Sequence, residues 1–441
     1  MVGFWGVCVA YFAIILDGSV LNVAVPAIRA DLGSSMAGAQ WVLNGYTLTL
    51  AALLLTAGAL GDRYGLRRTL LAGIALFTVA SAACAAAPDV GVLIAARVAQ
   101  GVGAAALLPA TLALVPHLFP DAAGRARGTV VWVATGAIAM AVGPLVGGGL
   151  IEAVGWRAIF AVNLPVGTLA ALLVRVGVTE TPRRARPIDR YGPVTAAAAL
   201  GLLTAGLIEA GALGWSAPVP LGLLGAAALA AAGYWWTARH GAHPMLPPAF
   251  FAHRVRTVAV GSAGLMGFLF YGALFSMSLY FQQTCGVSAG LAGVALLPMT
   301  VGSTVGPLLL YRPLARRYGH RVLLFAGFLA CAAGVGTLAV GGPYPVLGAG
   351  LLLIGVASTM VFSALTSLLL GTVPAERSGL ASGVQNTLRQ SGALLAVAVL
   401  GSLPGTSALA VLGVVATVAV GLAGYHLRTA DVGVRYEPTN T

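Results

Sequence analysis

Gly61-Asp62-Arg63-Tyr64-Gly65-Leu66-Arg67 and, 254 residues further on, Ala315-Arg316-Arg317-Tyr318-Gly319-His320-Arg321 are two versions of one segment. Each follows the second apolar run of a series, and each leads into a run containing Ala-Gly, at Ala72-Gly73 and Ala326-Gly327. A repeat at a fixed offset marks a chain built twice from one unit. Parallel repeats of this kind place a cavity between the two units near the bilayer midplane, opened alternately to each side.

A bilayer-crossing helix needs about 20 mostly apolar residues. Fourteen runs qualify, at roughly 3–27, 39–60, 69–87, 90–116, 128–151, 156–177, 191–213, 218–238, 257–281, 288–310, 322–341, 344–373, 380–403 and 406–425. The two copies then fall after spans 2 and 10, so spans 7 and 8 are an insertion between six-span halves. The expected fold is an all-α polytopic membrane protein of two six-helix bundles plus two inserted central helices. Its parts are an N-terminal bundle over 1–178, a basic link with the inserted helices over 179–256, a C-terminal bundle over 257–425 and a tail over 426–441.

Composition agrees. Of 441 residues 59% are apolar and 8% charged, and the mean hydropathy is +0.94. A soluble domain needs more charge than that to cover its surface, so the apolar excess faces lipid. The net charge of +12 raises the question of a nucleic-acid partner, which position answers in the negative. The basic residues are all Arg, and twenty of them sit in alternate short links: Arg63, Arg67, Arg68; Arg125, Arg127; Arg175, Arg183, Arg184, Arg186, Arg190; Arg239, Arg254, Arg256; Arg312, Arg316, Arg317, Arg321; Arg377; and Arg428 and Arg435 in the tail. The opposite links carry Arg29 and Arg157. This is the positive-inside pattern of a plasma-membrane protein of bacterial type, with both termini cytoplasmic. The first run lacks a charged n-region and is too long for a signal peptide, so it reads as a true span. Cys8, Cys84, Cys285 and Cys331 form neither a CxxC pair nor a His-Cys cluster, so neither a disulfide framework nor a metal site is expected. No Walker A run, HExxH or Gly-x-Ser-x-Gly occurs, which argues against ATP binding of that kind and against an intramembrane enzyme.

Five segments carry polar chemistry. Leu16-Asp17-Gly18-Ser19-Val20-Leu21-Asn22-Val23-Ala24-Val25-Pro26 puts Asp17 near mid-membrane in span 1. A carboxylate there is costly unless protonated or paired, which makes Asp17 a candidate proton carrier; a hydrogen-bonded packing residue is the plainer alternative. Gly58-Ala59-Leu60-Gly61-Asp62-Arg63-Tyr64-Gly65-Leu66-Arg67-Arg68 joins spans 2 and 3. Its glycines allow a tight turn and close helix approach, and Asp62 can cap a helix or pair with an Arg across the two halves. The second copy has Arg316 where the first has Asp62, so any latch there must differ. Arg97-Val98-Ala99-Gln100-Gly101-Val102-Gly103 lies in span 4. An intramembrane Arg needs a partner, and Asp17 is the natural one; the alternative is that Arg97 snorkels to the surface. Gly136, Gly143, Pro144, Gly147, Gly148 and Gly149 give span 5 a smooth, bendable face, and Trp156-Arg157-Ala158-Ile159-Phe160-Ala161-Val162-Asn163-Leu164-Pro165 follows. Last, Glu376 to Gly392 opens span 13 with Gln385, Asn386 and Arg389, the Arg expected within reach of the inner interface. Glu209 reads as an interfacial acid near the outer end of span 7.

Together the five segments resemble the major facilitator superfamily, and within it the fourteen-helix drug:proton antiporter branch, over essentially the whole chain. The resemblance implies a carrier and not an enzyme: an antiporter that exports small lipophilic drugs or antibiotics, driven by the proton gradient with no bound cofactor or metal. It implies proton coupling at Asp17 and Arg97. It implies gating by Gly58, Gly61, Asp62, Arg63, Gly65, Arg67 and Arg68, and by the span 5 residues Gly136, Gly143, Pro144, Gly147 and Gly148. The cavity wall is expected to draw on Asn22, Gln40, Trp41, Asn44, Tyr46, Gln100, Tyr271, Phe275, Tyr280, Gln282, Met299 and Asn386, since aromatic and Met surfaces adapt to varied ligands; each alone is more often a packing residue. The partners implied are the lipid bilayer, protons and a small lipophilic substrate, with no nucleic acid, and a monomer suffices. Spans 9 to 14 contain no acid, which argues against selectivity for dications. A facilitator or importer in the same fold, or a ligand sensor, are the other readings.

Overall fold

In a computed structural model, residues 1–183, 189, 191–241, 244, 246–374, 378–403 and 405–428 are described, without the side chains of 307, 308, 405, 406 and 426–428. Arg184, Arg186, Arg190, Glu376, Arg377, Arg435 and the side chain of Arg428 lie outside this set. The described residues form helices and short links with no strand, as lipid requires, because a helix satisfies every backbone polar group within itself.

The N-terminal helices are α1 (Val2–Leu32), α2 (Met36–Tyr64), α3 (Leu66–Ala85), α4 (Val90–Leu118), α5 (Ala122–Val154), the short α6 (Ala158–Ala161) and α7 (Asn163–Gly177). Next come α8 (Gly192–Leu213) and α9 (Pro218–His240). The C-terminal set is α10 (Arg254–Leu279), α11 (Ala289–Ala295), α12 (Leu297–Val305), α13 (Arg312–Val340), α14 (Tyr344–Leu370), α15 (Ser378–Leu400) and α16 (Gly405–Arg428). Two π-helical turns, Tyr280–Thr284 and Gly306–Tyr311, extend α10 and α12.

Twelve of these helical stretches are long and apolar enough to cross a membrane. α11 with α12 forms a shorter apolar pass. α15 has the length, but Gln385, Asn386, Arg389 and Gln390 lower its hydropathy. With these two the fourteen passes of the sequence are accounted for. Span 6 is broken at Val162 into α6 and α7.

α1 packs on α4, α5 and α7, while α2 and α3 pack on α4. In the second set α10 packs on α14, α15 and α16, and α13 on α14 and α16. The two sets meet through α2 with α15, α5 with α11 and α12, and α1 with α10. α8 leans on both α2 and α15, with α9 packed on its side.

The repeat is visible in the backbone. Gly65, between α2 and α3, has φ 99°, and Gly319, at a break inside α13, has φ 79°. Their numbers differ by 254, the offset of the quoted segments. Both conformations are ones that a Cβ disfavours. α5 also follows its sequence closely. A Cβ at Gly136 would strike Tyr11, at Gly143 Ser19 and at Gly147 Val20, all on α1, while one at Gly148 would strike the backbone of Ala289 in α11. The small residues thus let α5 touch its own set on one side and the other set on the next. All four cysteines are free, with only Cys285 exposed, and among the described residues no group of side chains has the makings of a metal site.

Candidate functional site

Asp17 stands at the midpoint of α1 and Arg97 in the first third of α4. Because α1 packs on α4, the two side chains meet inside the N-terminal set. Arg97 Nη1 donates to Asp17 Oδ2 at 2.6 Å, and the two side chains are 1% and 2% exposed. Arg97 therefore does not snorkel.

The pair is held on every side. Asp17 Oδ1 accepts from Gln100 Nε2 and Asn163 Nδ2, both at 2.8 Å. Arg97 Nη1 also donates to Gln100 Oε1 at 2.6 Å, and its Nε to the Val42 carbonyl at 3.2 Å. Ser81 accepts from Gln100 at 2.9 Å and from Asn163 at 3.3 Å, then donates to the Phe77 carbonyl at 2.7 Å. The Tyr46 ring lies 4.3 Å from the guanidinium carbon and the Phe160 ring 5.6 Å. Five helices and the short α6 thus converge on one ion pair. A buried pair holds only where the remaining donors and acceptors are met, and removing one partner leaves a buried charge at a cost of about 3–5 kcal/mol.

Asn163, Ser81 and Phe160 were not singled out in the sequence as site residues. Asn163 was quoted in its segment, yet a neutral amide in an apolar run carries no charge that demands a partner. Gln100 and Tyr46, expected on a cavity wall, are buried in this network.

The other expected wall residues divide into two groups. Asn22, Gln40, Asn44, Phe275 and Met299 are buried. Gln40 Nε2 donates to the carbonyls of Val397 and Ala398 at 2.8 and 2.9 Å, tying α2 to α15. The Asn22 side chain bonds back to the Gly18 carbonyl at 3.3 Å, while its own carbonyl accepts from Ser278 at 2.9 Å. Asn44 Nδ2 has no hydrogen-bond partner. Trp41, Tyr271, Tyr280, Gln282 and Asn386 are half-buried. Gln282, on a π-helical turn, donates to the Val23 carbonyl at 3.2 Å, and such turns recur at functional sites. With Glu152 accepting from the Gly290 amide at 2.9 Å, these bonds join the two sets at the arginine-poor ends of their helices.

At the arginine-rich end, Gly61 and Gly65 are buried, Gly58, Asp62 and Arg67 half-buried, and Arg63 and Arg68 exposed. The start of α3 is capped from outside the loop. Thr181 Oγ1 accepts from the Leu66 amide at 2.9 Å and Glu180 Oε1 from the Arg67 amide at 3.1 Å, and Glu180 lies 3.6 Å from Arg68. The signal for Glu180 in the sequence is an acid beside a run of link arginines. Arg389 stands on α15. It lies eleven residues into α15, about 16 Å from the helix start at 1.5 Å per residue.

A family model described as Major Facilitator Superfamily matches residues 7–397. The chain is similar to "Multidrug resistance protein Stp" of Mycobacterium tuberculosis (strain CDC 1551 / Oshkosh), 36% identical over 89% of this chain and 73% of that one. It is similar to the "Tetracenomycin C resistance and export protein" of Streptomyces glaucescens, 36% identical over 90% of this chain and 74% of that one. Among solved structures it shares its fold with an auto-inhibited POT family peptide transporter, at TM-score 0.69 and 15% identity over 100% of this chain and 98% of that one. A family match across most of the length, on top of a multi-pass helical fold, shows that the chain belongs to the Major Facilitator Superfamily and is a membrane transporter, not an enzyme.

Proposed function

We propose that the protein is a proton-coupled antiporter exporting small lipophilic compounds by alternating access, with Asp17 as its proton carrier. The observation that carries this reading is the buried Asp17–Arg97 pair at 2.6 Å, whose two charges are met only by each other and by neutral groups. The names of the relatives, a multidrug resistance protein and a resistance and export protein, support drug or antibiotic efflux as the direction. The arginine-rich face is cytoplasmic, with both termini on that side of a bacterial inner membrane. The hydrogen bonds of Gln40, Gln282, Ser278 and Glu152 then close the outer side.

Protonating Asp17 removes the negative charge and leaves Arg97 buried without a counter-ion. The network around the pair becomes costly, so proton binding at Asp17 changes the energy difference between the two states of the carrier. Substrate loads while Asp17 is ionised and the cavity faces the cytoplasm. After release outside, a proton from the acidic side neutralises Asp17 and permits return. Proton and substrate thus bias the same two-state element in opposite directions, and the gradient is the energy source with no bound cofactor. One chain suffices for this cycle.

The test is proton release from acid-loaded inverted vesicles on adding a panel of lipophilic drugs, comparing the parent with Asp17→Asn. Release from the parent that disappears in a variant still able to bind drug is expected. Equal release from both would return Asp17 to a packing role, and no release with any drug would favour a facilitator.

A further inference from the structure

Arg389 is a charged group that this cycle leaves unused. Its Nη1 donates to the Tyr271 hydroxyl at 3.3 Å and its Nη2 to Asn386 Oδ1 at 3.2 Å. Its Nε is closed off from solvent and has no partner. A guanidinium offers five N–H donors in a rigid fork, so three remain after these two bonds. The guanidinium carbon lies 5.3 Å from the centre of the Phe362 ring and 5.9 Å from that of Tyr271. Both oxygen partners are neutral. Among the described residues no ion pair includes Arg389. From 254 to 428 the sequence has one acid, Glu376, thirteen residues before Arg389.

The charge also faces inward. Arg389 reaches from α15 to the Tyr271 hydroxyl on α10 and the Phe362 ring on α14, and α10 and α15 pack in turn on α1 and α2 of the N-terminal set. Arg389 therefore points into the helix bundle, not against lipid. A cation half-way along a membrane helix is expensive unless something of opposite sign visits it.

We propose that Arg389 binds an anionic oxygen of the transported molecule, a carboxylate or an ionised phenol or enol carried on a flat ring body. The guanidinium fork takes the two oxygens of a carboxylate side by side, the strongest geometry for that pair. The rings of Tyr271 and Phe362, beside the guanidinium, offer an aromatic surface to the ligand's own ring. This assigns a substrate class to the carrier and rests on its being an exporter of small lipophilic compounds.

The closing experiment separates the two ideas by reading binding apart from transport. The purified full-length chain in lipid nanodiscs is titrated with naphthalene-2-carboxylate and with its uncharged methyl ester, in the parent, Arg389→Gln and Arg389→Lys, with thermal melting of each variant as a check of folding. The parent is expected to bind the carboxylate about tenfold more tightly than the ester. Arg389→Gln should make the two equal, and Arg389→Lys should keep part of the preference, since a point charge remains without the fork. A parent with no preference for the carboxylate, or a folded Arg389→Gln that keeps it, overturns the anion site even if vesicles still export neutral drugs. A preference that depends on Arg389 in a protein that moves none of these compounds leaves the anion site standing and removes the export reading instead.

Discussion

The first helix of each set carries a residue bound by an arginine, and the two cases differ. Asp17 on α1 and Tyr271 on α10 are 254 residues apart, the same offset that relates Gly65 to Gly319. Asp17 receives Arg97 at 2.6 Å inside a sealed network, and Tyr271 receives Arg389 at 3.3 Å in a half-buried position. In the N-terminal set the positive charge is neutralised by the chain itself. In the C-terminal set the acceptor is a neutral phenol and the charge is left over. Repetition of the fold has therefore not repeated the chemistry: one arginine is committed to an internal pair, and the other has donors to spare.

The largest expected effect breaks the committed pair. Arg97→Met leaves the Asp17 carboxyl buried with two amide donors and no counter-ion, and should cost about 3–5 kcal/mol. Asp17→Asn should cost a similar amount, since Arg97 is then the orphan. The double variant removes both charges while Asn at position 17 still presents an oxygen to Gln100 and Asn163, so it should recover most of the loss. Thermal melting of the three variants in one detergent gives the coupling directly. Single costs that simply add would mean that the pair is not energetically linked, and the contrast with Arg389 would collapse.

Much of the N-terminal site was legible because charge in a membrane helix demands an explanation. Asp17 and Arg97 were each conspicuous alone, and pairing them followed from the cost of leaving either unmet. The fourteen passes were legible from hydropathy, and the turn glycines from the repeat. The neutral parts of the site gave no such signal. Ser81 and Asn163 sit in apolar runs where a hydroxyl or amide is cheap enough to have any partner, and Tyr46 reads the same whether it lines a cavity or covers an arginine. Arg389, expected within reach of an interface, gave no sign of which helices it would face, because its partners Tyr271 and Asn386 are neutral. The start of α15 at Ser378 puts it more than three turns in.

The two turn glycines sharpen the comparison at an intermediate size. At Gly65 a Cβ would run into the Glu180 carboxylate, whereas at Gly319 nothing lies within 4 Å. Gly319→Ala should therefore cost backbone strain alone, about 1–2 kcal/mol. Gly65→Ala should cost that strain and also displace Glu180 from the start of α3, where it accepts from the Arg67 amide. The larger drop in melting temperature is expected for Gly65→Ala, and it should shrink when measured in a Glu180→Ala background. An equal drop for both glycines would mean that Glu180 moves aside freely and does not hold the loop.

The smallest effect on stability is expected where the charge is unmet. Arg389→Gln removes a cation that no carboxylate pairs among the described residues, along with two hydrogen bonds to neutral oxygens. Each such bond contributes about 1 kcal/mol net, or somewhat more with a charged donor. Against that stands the relief of no longer holding an unpaired charge away from water, which is of the same order or larger. The terms offset, so Arg389→Gln should melt within about 1 kcal/mol of the parent, or slightly above it, while Arg97→Met falls far below. A loss as large as that of Arg97→Met would show Arg389 to be a structural group already satisfied by the chain, and the asymmetry between the two sets would then be one of geometry only. A neutral result alongside lost carboxylate preference is what a residue held for a ligand should give, since the energy it would contribute is realised only when the ligand is there.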